Sequence, residues 1–207
     1  MSLLYLITKM TYITIFNNKY DINLKELNFQ YNRLSSLPVS IGNLINLQRL
    51  YLHNNKLTSL AAEIGNLINL IILNLSNNQL SSLPVSIGNL INLLILKLSN
   101  NQLSSLPASI GNLINLEYLD LLNNQLSSLP AEIFNIKNII NIDETSYEIN
   151  NLDVSCTILI FYKLNNNIGN LPINIKEIWL SKYITNPNIK LPFGCEIKIY
   201  DMRNKIC

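Results

Sequence analysis

A 23-residue period governs this chain. From Leu24 to Asn138 it reads as five consecutive units of 23 residues with no gap between them. The third unit, LIILNLSNNQLSSLPVSIGNLIN, carries apolar residues at unit positions 1, 4, 6, 11, 14, 18 and 21, and asparagine at position 9. The first leucine column is Leu24, Leu47, Leu70, Leu93 and Leu116; the asparagine column is Asn32, Asn55, Asn78, Asn101 and Asn124. A unit this short cannot bury its apolar side alone, so copies must stack and complete one another's core.

Within each unit the residues at positions 4 and 6 are apolar and their neighbours are mostly polar, the period-two pattern of a short strand with one buried face. Stacked units lay these strands side by side and parallel, about 4.8 Å apart, and the crossover rule makes the coil right-handed. Each position-9 asparagine falls where the chain turns away from its strand. An unpaired buried amide costs roughly 1–3 kcal/mol, which reads this column as a structural ladder bonding backbone of its own and the adjacent unit. In the other half, LSSLPVSIGNLIN, the residues Pro38, Pro84, Pro107 and Pro130 suit the start of a short helical turn. Gly42, Gly65, Gly88 and Gly111 are expected to end that turn through their conformational freedom. The fold class expected is α/β: a right-handed solenoid with a parallel sheet on its concave face and short helical or 3-10 turns on its convex face.

The pattern LxxLxLxxNxL resembles the leucine-rich repeat signature. The continuation LPxxIGNLxNL is similar to the 23-residue Ras-suppressor type and its plant intracellular Ras-group relatives, with Ala61 in place of proline and Phe134 in place of glycine. This resemblance implies a horseshoe that binds other proteins, normally in the cytoplasm. Beyond the array, strand-like cores recur near Ile142, Ile160, Ile178 and Ile197 at shorter spacing. NLPINIKEIWL and KLPFGCEIKIY resemble FNIP-type repeats of amoebal proteins. LLYLI, TKMT and YITIF read as two strands about a turn. The expected division is an amino-terminal cap over 1–23, five repeats over 24–138, and divergent shorter repeats with a carboxy-terminal cap over 139–207, all in one continuous solenoid.

Composition narrows function by exclusion. Leu, Asn and Ile number 39, 35 and 32 of 207, a narrow alphabet that we trace to an AT-rich, amoebal or giant-virus-like coding bias. With 15 basic and 13 acidic residues and no long block of like charge, the chain lacks the footprint of a nucleic-acid binder. No apolar run reaches the ~20 residues of a membrane span, and Met1 to Phe16 lacks the layout of a signal peptide. Cys156, Cys195 and Cys207 form no CxxC pair, as for reduced thiols of an intracellular protein. The single histidine, His53, has no nucleophile beside it in sequence. Asp143, Glu144, Glu148 and Asp153 do not match a calcium loop, and no phosphate-binding glycine motif occurs. No enzyme, cofactor or metal site is expected.

Unit-to-unit variation points to a surface. Strand positions 3, 5 and 7 face away from the buried leucines, so their side chains tile the concave sheet. Tyr51, Ile71, Ile72, Leu94, Ile95, Tyr118 and Leu122 are expected to form an exposed apolar stripe, with Lys97 and Asp120 among its rim charges. A monomer in the cytoplasm (the host's, for a viral chain) that binds a protein partner through this stripe is the leading expectation. The alternative is a recognition or targeting subunit for a ligase, kinase or GTPase whose catalytic domain lies on another chain.

Overall fold

The computed structural model describes residues 12–127, 129–130, 132–133, 139–142, 158–161, 177–181 and 194–200. It opens on an antiparallel hairpin, β1 (Tyr12–Ile15) and β2 (Asn18–Asp21). Phe16 and Asn17, both left-handed with φ 48° and 65°, make the two-residue turn whose twist suits such a hairpin. The pairing therefore joins YITI to NKYD; the expected partner LLYLI lies outside the described residues.

Five strands follow, one per unit: β3 (Glu26–Asn28), β4 (Arg49–Tyr51), β5 (Ile72–Asn74), β6 (Ile95–Lys97) and β7 (Tyr118–Asp120). Each pairs in parallel with the next at a step of 23 residues, as in Leu27 to Leu50 and Leu50 to Leu73. Then come β8 (Ile139–Ile142), β9 (Ile158–Phe161), β10 (Glu177–Ser181) and β11 (Glu196–Tyr200), extending the sheet to nine strands. The step shortens to 21 residues from Tyr118 to Ile139, then holds at 19 from Ile139 to Ile158, Ile158 to Glu177 and Glu177 to Glu196.

On the convex side, among the described residues, four full 3-10 turns repeat: η1 (Val39–Asn43), η2 (Ala62–Asn66), η3 (Val85–Asn89) and η4 (Ala108–Asn112). Pro38 caps its turn from outside, in extended backbone at φ −70° and ψ 146°. Ala61 holds nearly the same angles, −69° and 150°, so proline pre-sets a conformation that the packing imposes anyway. The glycines correct the sequence reading. Gly194 is the one described glycine with positive φ, so Gly42, Gly65, Gly88 and Gly111 are not there to take a left-handed turn end. A Cβ on Gly65 would stand 2.5 Å from the Ser86 carbonyl oxygen and 2.6 Å from its Cβ. Adjacent turns approach so closely that no side chain fits between them.

Leucine and isoleucine from each unit fill a continuous core, with Leu50, Leu73, Leu96 and Leu119 of the middle strands fully buried. The hairpin closes one end: Ile15 is fully buried, and Phe16 and Tyr20 meet Phe29 edge-on at 5.6 and 5.8 Å. Ser40 Oγ donates to the Thr14 carbonyl (3.1 Å), tying the hairpin to η1.

Side-chain amides tie the units together. Asn78 Nδ2 donates to Leu52 O of the preceding unit (3.0 Å) and Leu75 O of its own (2.9 Å), while its Oδ1 accepts from Leu57 N (3.0 Å). Asn55, Asn101 and Asn124 repeat this geometry. Asn32, exposed in the first unit, donates through Nδ2 to Gln30 O of its own unit (3.0 Å), and its backbone N–H donates to Asn55 Oδ1 of the next (3.1 Å). A second column at position 23 went unread in the sequence: Asn69, Asn92 and Asn115 donate across to Ile45, Ile68 and Ile91 carbonyls at 2.8–2.9 Å. At position 8 a third amide column has a backbone reason. Asn54, Asn77, Asn100 and Asn123 all sit at φ between 53° and 58°, a region that asparagine tolerates far better than leucine.

Two outcomes follow from this packing. Gly65→Ala should lower stability by about 1–3 kcal/mol, because backbone must move to admit a methyl, whereas Asn66→Ala on the same turn should stay within about 0.5 kcal/mol; denaturant titration measures both. Asn78→Leu should cost roughly 2–4 kcal/mol by stranding its backbone partners. The proper contrast is Asn77→Gly, expected to be nearly neutral, since Asn77→Leu would add left-handed strain of its own. Equal losses for Asn78→Leu and Asn77→Gly would remove the ladder from the stability argument.

Candidate functional site

Strands β4 to β7 place the side chains of positions 3 and 5 in two parallel rows. Arg49, Ile72, Ile95 and Tyr118 are register partners in one; Tyr51, Asn74, Lys97 and Asp120 in the other. The register thus brings the sequence-derived residues onto one sheet surface. Their exposure differs from the sequence reading. Tyr51, Ile71, Ile72, Leu94, Ile95, Tyr118 and Leu122 are half-buried, not fully exposed, because strands this close let each side chain shield its neighbours. Lys97 is exposed, and its Nζ lies 5.9 Å from the centre of the Tyr118 ring. Asp120 is buried, with one carboxylate oxygen accepting from Leu122 N at 3.3 Å, and so leaves the rim where the sequence put it. Ser76 and Ser99 of position 7 are buried as well, their hydroxyls 3.1 Å apart.

One end of the sheet gathers aromatic rings. Tyr31, 71% exposed and left-handed at φ 59°, stands edge-on to His53 at 5.9 Å, and Tyr51 also meets His53 edge-on, at 6.4 Å. Sequence reasoning passed over Tyr31. Its signal was there to read: a tyrosine interrupts the position-8 column that is asparagine in the other four units. Beside this group Arg49 and Glu26 form an exposed ion pair at 3.5 Å, which contributes little to stability but fixes a charged border.

His53 is half-buried rather than solvent-facing, and its Nδ1 is buried with no hydrogen-bond partner among the described residues. Desolvation first, and the Lys97 charge second, hold its pKa below the ordinary 6.5. The thiol of Cys195 is pushed up by burial and by Glu177 and Glu196, which makes it a poor nucleophile. Beside it on β10 and β11, Lys198 bonds Glu177 at 2.5 Å. Cys156, Cys207 and the acids Asp143, Glu144, Glu148 and Asp153 lie outside the described residues. Among the described residues no three His, Cys, Asp or Glu side chains gather to hold a metal, and no helix is long and apolar enough to cross a membrane.

Besides Tyr12, Phe16, Tyr31 and Ile197, the large apolar side chains most exposed among the described residues lie on the convex turns and the segments leaving them: Val39, Val85, Ile45, Ile68, Ile91 and Ile114. The concave sheet is the variable face, and the convex side repeats its exposed aliphatic residues from unit to unit.

A parallel sheet one strand wide per unit, convex 3-10 turns and an asparagine ladder define a repeat solenoid of the leucine-rich class. Family models agree: leucine-rich repeats match residues 22–66, 45–103 and 115–136. The chain is a leucine-rich repeat protein. Its fold is similar to a leucine-rich repeat protein of Leptospira interrogans, at 29% identity and TM-score 0.58 over 86% of this chain and 56% of that one. It is also similar to the plant peptide hormone receptor RGFR1, solved in complex with RGF2 (31% identity, TM-score 0.62, 77% of this chain and 28% of that one). A third similarity is to the ectodomain of the Arabidopsis thaliana membrane receptor kinase GASSHO1/SCHENGEN3, solved with CASPARIAN STRIP INTEGRITY FACTOR 2 (28% identity, TM-score 0.59, 77% and 22%). The chain spans about half or less of the length of these structures. No curated protein matches it in sequence.

His53 generates a pH test. Its folded pKa lies below the 6.5 of the free group, so the native state binds fewer protons than the unfolded chain in the interval beneath 6.5. Its neutral form therefore supports the fold fully above pH 6.5, and that support is lost as pH falls through 6.5 toward the folded value. Melting temperature should drop more steeply over this interval in the wild type than in His53→Gln; parallel profiles would show that burial of the ring carries no proton linkage.

Proposed function

We propose that the chain is a non-enzymatic protein-binding module whose partner lies across the concave face of β4 to β7. One observation carries the reading: positions 3 and 5 change from unit to unit, whereas the convex turns are near copies, and unit-specific side chains are what a particular partner can read. The site centres on Tyr51, Ile71, Ile72, Leu94, Ile95, Tyr118 and Leu122, with Lys97 the rim cation and Tyr31 and His53 extending it toward the first unit. Half-burial suits this role, because rings and branched chains already held by their neighbours lose little freedom on binding. The receptor complexes among its structural neighbours support the same use of the fold. The 23-residue period with LPxxIGNLxNL favours the Ras-suppressor type, and with it a cytoplasmic location; NLPINIKEIWL and KLPFGCEIKIY favour an FNIP-like continuation.

Half-burial also dictates the test. A carboxylate at Ile72 or Ile95 would burden the fold, whereas lysine can keep its stem on the sheet and its ammonium in water. Ile72→Lys with Ile95→Lys should retain a cooperative melt yet lose partners captured by the wild type, by at least about tenfold for two charges desolvated at an interface centre. The contrast is Val85→Asp with Ala108→Asp, at the exposed first residues of η3 and η4. Ser86 and Ser109 are unsuitable, since their hydroxyls bond the Ala62 and Val85 carbonyls at 2.6 and 2.7 Å. Loss of partners in the convex variant with retention in the concave one would overturn the proposal.

A further inference from the structure

Each of the first four units leaves an isoleucine in water at the same place, position 22, just after the convex turn. Ile45, Ile68, Ile91 and Ile114 are 51–56% exposed. These four form a column rather than scattered sites. Asn69, Asn92 and Asn115, each the residue after the next unit's isoleucine, donate to the carbonyls of Ile45, Ile68 and Ile91, locking successive turns at one spacing. On either side in sequence stand asparagines: Asn43, Asn66, Asn89 and Asn112 before, Asn46, Asn69, Asn92 and Asn115 after. Across positions 20 to 23 of these four units there is no charged residue.

We propose that this uncharged isoleucine–asparagine flank binds a second copy of the chain in an antiparallel, two-fold pair. Three features select that occupant. Spacing comes first: a ladder repeating once per 23-residue unit is matched along its length only by a partner with the same repeat, which another copy supplies. Chemistry comes second. Asparagine is both donor and acceptor, so its columns can bond their own kind across a two-fold, where a row of lysine or glutamate would repel its copy. Area comes third, since four half-exposed isoleucines with their flanking asparagines offer on the order of 800 Å² per copy, what one partner contributes to a standard interface. In the pair Ile45 faces the partner's Ile114, and Ile68 faces the partner's Ile91. The concave sheet stays free, so the dimer would present two binding faces. Here the inference departs from the monomer that the sequence reading expects.

Sedimentation of the full chain over a wide concentration range tests it. Wild type should approach twice 23.6 kDa as concentration rises. Ile68→Lys with Ile91→Lys, at exposed positions, should stay monomeric with an unchanged melting temperature, because like charges then face each other across the two-fold. Ile68→Lys with Ile91→Glu should dimerise again, since antiparallel pairing sets each lysine against the partner's glutamate. A wild type that stays monomeric at every concentration overturns the proposal, as does a dimer that survives the double lysine change. Failure of the charge-swapped variant to dimerise overturns the antiparallel register.

Discussion

The stacking of the 23-residue units depends on satisfying the backbone where a strand ends and the chain bends away. At that bend the carbonyls and amides of two adjacent units are cut off from both sheet and solvent, and an apolar residue would leave them unpaired. One asparagine in each of the second to fifth units resolves this, as Asn78 does by donating to Leu52 and Leu75 and accepting from Leu57. The amide spans two units, so it specifies stacking as well as the bend. Leucine columns supply the free energy of the core, but being non-directional they would tolerate sliding between units. The directional bonds fix the interval, and with it the rows that the concave and convex surfaces present.

That fixed interval has two consequences of opposite kind. On the concave side it brings residues 23 apart into contact, so differences between units become a two-dimensional pattern, with aromatic rings at one end and aliphatic side chains in the middle. On the convex side it turns sameness into periodicity. The close approach at Gly65 and the isoleucine column at position 22 are both products of identical turns held in register.

Much of this was legible beforehand. The period, the strand positions, the parallel order and the asparagine column follow from spacing alone, because 23-residue steps admit few ways of burying leucine. Strands near Ile142, Ile160, Ile178 and Ile197 were legible from short alternating apolar runs at closer spacing. What misled was exposure. Position 7 looks like a solvent-facing strand site, yet Ser76 and Ser99 are buried; Asp120 looks like a rim charge, yet its carboxylate turns back to Leu122. Alternation assigns a face but not a depth, and depth depends on how closely neighbouring strands crowd one another. The glycines misled for a related reason: their freedom of φ is a property of the residue, whereas the oxygen waiting where a Cβ would stand belongs to the next unit.

The sequence by itself determined the repeat, its strand and turn halves, the core columns and the face on which variation accumulates, because each is set by residue type at fixed intervals along one chain. Only the tertiary structure decided which backbone groups each asparagine joins, why glycine stands at the convex turn, that the rings of Tyr31 and Tyr51 both meet His53, and that the isoleucines of position 22 remain in water. Those are relations between units, fixed by distances of a few ångströms across the stack, and residue spacing along the chain does not encode them.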